Sequence, residues 1–320
     1  MVRSAAAVLA FIAVTGQSAE PPAPLVDHHQ HLFGPAIVAL SEGIPGVETI
    51  DAAKLVSLLD AAGIGRAAVL SVAYMYANPN RSAIEDEYAK VRAENDWTSA
   101  QVARFPDRLR GFCGVNPLKD YAVDEIARCA KDPSLRTGLK LHFGNSDVDL
   151  DNAGHVERVR RVFRAANAHR MAIAVHMRAS VTRRRPYGTT QARVFVNDLL
   201  PAAPDIPVQI AHLAGAGTYD DPAQDEALSV FIDAIAKGDR RVARVMFDVS
   251  GIAGYGKWMA KADLIARRLR AIGMSRLLYG SDGATAGGLP PRDAWAAFRK
   301  LPLTTAEFHT IATNVAPYLK

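Results

Sequence analysis

Five of the chain's nine histidines fall toward the carboxyl ends of short apolar runs that lead into turn residues. His29 and His31 close Val26-Asp27-His28-His29-Gln30-His31, His142 lies in residues 138–143, His176 in 171–177 and His212 in 208–213. Lys140 shares a run with His142, while Asp248 and Asp282 close or follow the last two runs. Neutral imidazole is the commonest protein ligand for zinc and related ions. If 26–31 is a strand, Asp27, His29 and His31 share one face, and His28 and Gln30 take the other. The two imidazoles then stand about 7 Å apart along the backbone, at a rise of about 3.3 Å per residue. Such a pair fits half of a metal site, although alone it is more often surface decoration or core filler. If histidines were scattered without regard to function, most would lie in the helices and loops that make up the bulk of the chain.

The elements that must position these residues alternate. Residues 26–31, 67–72, 109–115, 138–143, 171–177, 208–213, 245–249 and 277–279 read as short buried strands, apolar and bounded by turn residues. Between and after them, residues 51–62, 81–104, 121–130, 152–168, 189–200, 225–237, 257–272, 291–299 and 305–314 carry helical spacing, with Asp51 placed to cap the first and Gly273 to stop the seventh. Eight strands alternating with helices predict a (β/α)8 TIM barrel. A doubly wound open sheet would alternate too, but no Gly-x-Gly-x-x-Gly turn follows the first strand. In a barrel the carboxyl ends of the strands converge on one face, so the chemically unusual residues would meet there.

The 320 residues, 49% apolar and 22% charged, make an ordinary globular chain with no polar, Gly/Ser-rich or charged linker, which predicts one domain. A net charge of +5 is spread too thinly for a nucleic-acid footprint and leaves room for a small, anionic substrate. The composition also allows a homodimer. Met1-Val2-Arg3, the apolar stretch 4–14 and the small residues up to Ala19 have the layout of a secretory signal peptide, too short to span a bilayer. Residues 1–19 therefore read as a leader and 20–320 as a mature domain, periplasmic or secreted and not held in a membrane after cleavage. The two cysteines, Cys113 and Cys129, read as separate buried thiols, one in an apolar run and one in a helical run.

The order of these residues resembles the amidohydrolase superfamily, and most closely its amidohydrolase-related branch that includes aminocarboxymuconate semialdehyde decarboxylase. The matching stretches are Asp27-His28-His29-Gln30-His31-Leu32, Gly138-Leu139-Lys140-Leu141-His142, Val175-His176, Ile210-Ala211-His212-Leu213-Ala214-Gly215, Tyr279-Gly280-Ser281-Asp282 and the closing stretch 311–319. The resemblance implies one divalent metal held by His29, His31, His176 and Asp282, with His212 a catalytic acid or base beside it. Three imidazoles and a carboxylate suit zinc, or manganese, with a position open for water. The ion would lower that water's pKa, and His212 or Asp282 would accept its proton.

A fourth-strand lysine is carboxylated and bridges two metals in other amidohydrolases, but the branch resembled here is usually mononuclear. Lys140 is therefore read as a free ammonium that binds substrate. His142 lies two residues on and either lines the pocket or packs under a loop. Asp248 orients a ligand histidine or binds substrate, Asp27 stands behind the ligands, and His28 faces away from the metal. Arg178 in the loop after the fifth strand is a candidate for an acidic substrate, with 183–185 beyond it. Tyr74, Tyr76 and Asn78 are candidates for the pocket wall, and Trp258 and Trp295 read as core or interface. The leading expectation is a hydrolase of a small amide, ester or lactone by metal-activated water. The alternative is a non-oxidative decarboxylase or hydratase with the same metal set, and a third reading is a barrel that only binds a ligand.

Overall fold

The computed structural model of the protein describes residues 21–320 except 42, 43, 45, 255, 257 and 284–287. The expected leader at 1–19 lies outside the described residues. Eight parallel strands follow one another in sequence order around a barrel: β1 (Val26–Gln30), β2 (Arg66–Leu70), β3 (Leu109–Gly114), β4 (Gly138–His142), β5 (Ala172–His176), β6 (Val208–Ile210), β7 (Val245–Asp248) and β8 (Leu277–Leu278). The seam is closed by His28 N–H donating to the Tyr279 carbonyl and Asp282 N–H to the His29 carbonyl, at 2.8 and 2.9 Å. The predicted (β/α)8 architecture is therefore the observed one.

Barrel closure requires small residues where rings crowd the interior. A Cβ on Gly138 would stand 2.2 Å from the Phe112 ring, so β4 can pass β3 only as glycine there. The inner layer of Val26, Ala68, Leu70, Phe112, Ala172 and Ala174 is sealed below by Leu319. Tyr318, beside it, donates to Gln209 Oε1. Helices cover the outside. Asp51 caps the helix Ala52–Ala61 as expected, accepting from Lys54 N at 2.9 Å. Trp295 is buried among Tyr279, Phe298 and Phe308, a core role. Among the described residues no helix is long and apolar enough to cross a membrane.

Four local readings are corrected. The helix predicted over 81–104 begins at Glu87, and that over 257–272 is a regular helix only from Ala262. β6 ends at Ile210 rather than 213, because His212, Leu213 and Ala214 all adopt left-handed backbone, with φ of 54°, 50° and 65°. Cys113 and Cys129 form a disulfide instead of standing as separate thiols. The helix Ala122–Cys129 folds back over β3, the strand before it, and brings the two Cα atoms to 6.1 Å, within disulfide reach.

Candidate metal centre and active site

The ends of β1 and β8 build the core of the site. The imidazoles at the end of β1 have tautomers fixed from behind: His29 Nδ1 donates to Asp248 Oδ2 at 3.0 Å and His31 Nδ1 to the Leu70 carbonyl at 2.6 Å. Burial, helped by the nearby Lys140 cation, depresses both rings, His29 to about 3 and His31 well below its ordinary value, so both are neutral. Burial pushes the Asp248 carboxyl up, but the His29 and His212 rings and its hydrogen bonds outweigh this and hold it well below the usual carboxylate range. It is therefore an anion.

Each Nε2 consequently carries a lone pair, and the two lone pairs face each other across 3.3 Å. Asp282 Oδ1 stands 3.6 Å from His31 Nε2 and 3.9 Å from His29 Nε2. Facing lone pairs are repulsive unless a cation stands between them, and the Lys140 ammonium hydrogen-bonds to one of the two, His29 Nε2 at 3.2 Å. Two nitrogens each about 2.0–2.1 Å from one tetrahedral ion stand roughly 3.3–3.4 Å apart. The donor set and its spacing therefore fit a divalent metal.

Asp282 reaches this point through a tight approach of backbones. A Cβ on Gly280 would lie 2.8 Å from His29 Cβ, and Asp282 itself has φ of 53°. Asp27 fixes the crossing: its Oδ1 accepts from His29 N and Ser281 N, both at 3.1 Å. Its carboxyl is raised to about 6 by burial, against the pull of those bonds. It braces the main chain that carries two donors and does not touch the rings. His28 turns away as the alternation predicts, donating from Nδ1 to the Tyr279 carbonyl and accepting from Ala316 N.

A cavity of about 290 Å³ opens above these donors; Lys140, His142, His176 and His212 line it together with His29, His31 and Asp282. Lys140 is buried, with Nζ 3.2 Å from His29 Nε2. Burial lowers its pKa, partly offset by the Asp282 and Asp248 carboxylates, while burial raises Asp282 against the pull of Lys140. His142 stacks on His176 with centroids 3.9 Å apart and accepts from Asn145 N, so it is a wall of the pocket. His176 shares that wall, but it does not join the group of His29, His31 and Asp282, whose ligand atoms lie within 4.8 Å of one another. Three of the four expected ligands thus come together in this structure, and the fourth stands across the cavity.

The left-handed turn that shortens β6 is what presents His212. Asp248 Oδ1 accepts from His212 N at 3.0 Å, and Gln224 Nε2 donates to the His212 carbonyl at 2.8 Å. Three consecutive non-glycine residues there hold a conformation costing about 1–2 kcal/mol each, and strain of this kind collects at functional sites. With its Nδ1 proton given to the Ser250 carbonyl at 2.9 Å, His212 turns Nε2 toward Asp282 Oδ2, 3.9 Å away.

Arg178 does not reach the cavity. It is held by Asp221 Oδ2 at 2.6 Å and lies over the Tyr187 ring at 4.7 Å. Arg185 forks onto Asp147, two bonds of 3.0 Å, and Arg183 donates to Asn80 Oδ1. Arg178, Arg183 and Arg185 are thus tied to carboxylates and neighbouring loops, and Lys140 is the cation lining the cavity among the described residues. Sequence reasoning passed over Gln209 and Ser250. Gln209 Nε2 donates to Asp248 Oδ2 at 2.7 Å, and Ser250 Oγ stands 2.8 Å from His212 Nδ1. A lone polar residue inside the apolar run 208–210 was the available sign of the first.

The sequence pattern described as amidohydrolase matches residues 26–314. A comparison with curated protein sequences finds no match. Among solved structures, 5-carboxyvanillate decarboxylase from Sphingomonas paucimobilis superposes with a TM-score of 0.63 at 17% identity, covering 91% of this chain and 97% of that one. A dihydroxybenzoic acid decarboxylase from Polaromonas sp. JS666, with bound manganese and the inhibitor 2-nitroresorcinol, gives 0.61 at 16% identity over 91% and 94%. An amidohydrolase from Burkholderia multivorans with bound zinc gives 0.57 at 14% identity over 90% and 96%.

Proposed function

Because the chain belongs to the amidohydrolase family, we propose that it is a metal-dependent, non-oxidative decarboxylase of a small aromatic carboxylic acid. The observation that carries this reading is Lys140, a buried cation facing the cavity beside the metal donors. A carboxylate is the group such a cation would hold in a place with little water. The decarboxylases with the same barrel act on planar hydroxy acids, by their names, and the rings of Phe33, Tyr74 and His142 line this pocket. Hydrolysis of an amide, ester or lactone, the first expectation from sequence, would use the same donors and would engage the lysine only where the substrate carries a carboxylate besides the bond that is cut.

His29, His31 and Asp282 would hold the ion, with His176 on the facing wall as the fourth donor proposed. A bound divalent ion, manganese or zinc, supplies Lewis-acid charge to substrate oxygens. The chain's own residues do the rest. Lys140 holds the carboxylate, and the stacked pair of His142 and His176 bounds the ring. His212 and Asp282 handle the proton that the ring carbon must receive. As that proton arrives the bond to the carboxyl carbon breaks, its electron pair restores the ring, and carbon dioxide leaves. One substrate anion and one proton give one arene and one carbon dioxide.

The test is reconstitution with manganese or zinc, followed by a panel of hydroxybenzoates set against aryl esters and lactones. Carbon dioxide release matched by decarboxylated product is the expected result. Ester or lactone cleavage with no carbon dioxide from any acid would reverse the reading. The layout of residues 1–19, together with a disulfide, supports export to an oxidising compartment. Recovery of the chain from the periplasm or medium, starting near residue 20, is the corresponding measurement.

A further inference from the structure

Buried tyrosine hydroxyls normally find hydrogen-bond partners, and in this protein most do. Tyr121 donates to Glu87, Tyr219 to Asp225 and Tyr279 to the Pro291 carbonyl, each at 2.6 Å, while Tyr187 and Tyr318 donate to Ala214 and Gln209. Tyr74 and Tyr76, on the single turn Ala73–Ala77 after β2, make no hydrogen bond through their hydroxyls among the described residues, and neither oxygen is fully shut off from open space. Tyr76 does not line the cavity, whereas Tyr74 does.

Tyr74 is 4% exposed, with its ring 5.2 Å from that of His142. Burial first, and the Asp282 carboxylate second, push its phenol far above the ordinary value, so the hydroxyl is always a protonated donor. Its turn directly follows the strand whose Leu70 carbonyl grips His31. A donor without a protein partner, in a pocket that already has a cation for the carboxylate, is satisfied by a second oxygen on the ligand.

We propose that Tyr74 is a specificity-determining residue, donating a hydrogen bond to an oxygen that the substrate carries next to its carboxylate, and so selecting such acids over acids without that oxygen. The inference rests on the decarboxylase reading, because it takes an aromatic acid as the occupant. It assigns Tyr74 no part in bond breaking.

The experiment is calorimetric titration of the manganese-loaded protein with salicylate and with benzoate, which differ only in the adjacent oxygen. The wild-type protein is expected to bind salicylate about tenfold more tightly, the difference one well-made hydrogen bond supports. Tyr74→Phe should erase that preference, weakening salicylate about tenfold while benzoate stays within about twofold. Tyr74→Leu, with metal content and melting temperature measured beside it, guards against a packing defect and should also bind the two acids equally. Preference retained in Tyr74→Phe, or equal weakening of both acids, overturns the assignment and leaves the decarboxylase reading standing. Failure of both acids to bind the wild-type protein overturns that reading, and the assignment with it.

Discussion

Asp248→Asn isolates the control that the protein exerts on its metal donors from behind. The two oxygens of Asp248 accept five bonds: Oδ1 from His212 N, Ser250 N and Ser250 Oγ, and Oδ2 from His29 Nδ1 and Gln209 Nε2. Asparagine has one acceptor oxygen, so one of these sides must face an amide NH2. If the oxygen keeps the three donors of the Oδ1 side, His29 must accept at Nδ1 and carry its proton on Nε2, where it can no longer bind an ion. If the amide turns over, the hold on the His212 turn fails instead. Loss of such an orienting partner weakens metal binding by about 10- to 100-fold, or about 1.4–2.8 kcal/mol. The misdirected donors add a stability cost of about 1–3 kcal/mol in the metal-free protein. Competition against a chromophoric chelator measures the first quantity and urea denaturation the second. An unchanged dissociation constant for zinc or manganese would refute the tautomer argument.

His212→Asn should retain its metal by elemental analysis while turnover drops by about 10²- to 10⁴-fold, the usual share of a general acid or base. Lys140→Met should also retain metal, with the loss appearing mainly as a raised KM in steady-state kinetics, as expected for a binding contact. Burial lowers His28 from 6.5 to about 4, so the unfolded chain takes up its proton first and stability falls as pH drops through this window. In metal-free protein, His28→Gln should lessen the stability lost between pH 7 and pH 4.5 by about 2–3 kcal/mol, at about 1.4 kcal/mol per pKa unit, as read from urea curves at the two pH values. Reducing the Cys113–Cys129 disulfide, which spans 16 residues, should cost about 3 kcal/mol in the chain-entropy account. Denaturation with and without a phosphine reductant gives that number directly.

The barrel was legible because each βα unit leaves its own trace: a short apolar run, a turn, then a helical face. His29, His31 and Asp282 were legible because they sit where strands end, and strand ends converge. What resisted reading depends on partners distant in sequence. Arg178 looked available for substrate, and only the fold shows Asp221 beside it. The turn at His212 contains no glycine at its left-handed residues, so local preference predicts a strand through Leu213. It bends because Asp248 and Gln224, from other elements, supply its hydrogen bonds. Cys113 and Cys129 meet by the folding back of one helix onto its strand, a distance that spacing alone does not give.

The hydroxyl of Tyr318 lies at one end of a wire. It donates to Gln209, Gln209 donates to Asp248, and Asp248 receives the proton of His29. Gln209 Nε2 also holds the His28 carbonyl at 3.1 Å, next to that ligand. The residues that settle how the first strand presents its imidazole are therefore made about two hundred residues after it, and Tyr318 behind them almost three hundred. During synthesis His31 meets its partner early, at the Leu70 carbonyl, whereas the proton arrangement of His29 waits for Asp248. An ion captured before then would meet a His29 ring that can bind through either nitrogen, because the partner that assigns its proton is not yet in place. Folding in the presence of competing metals is consequently a matter of timing as well as affinity.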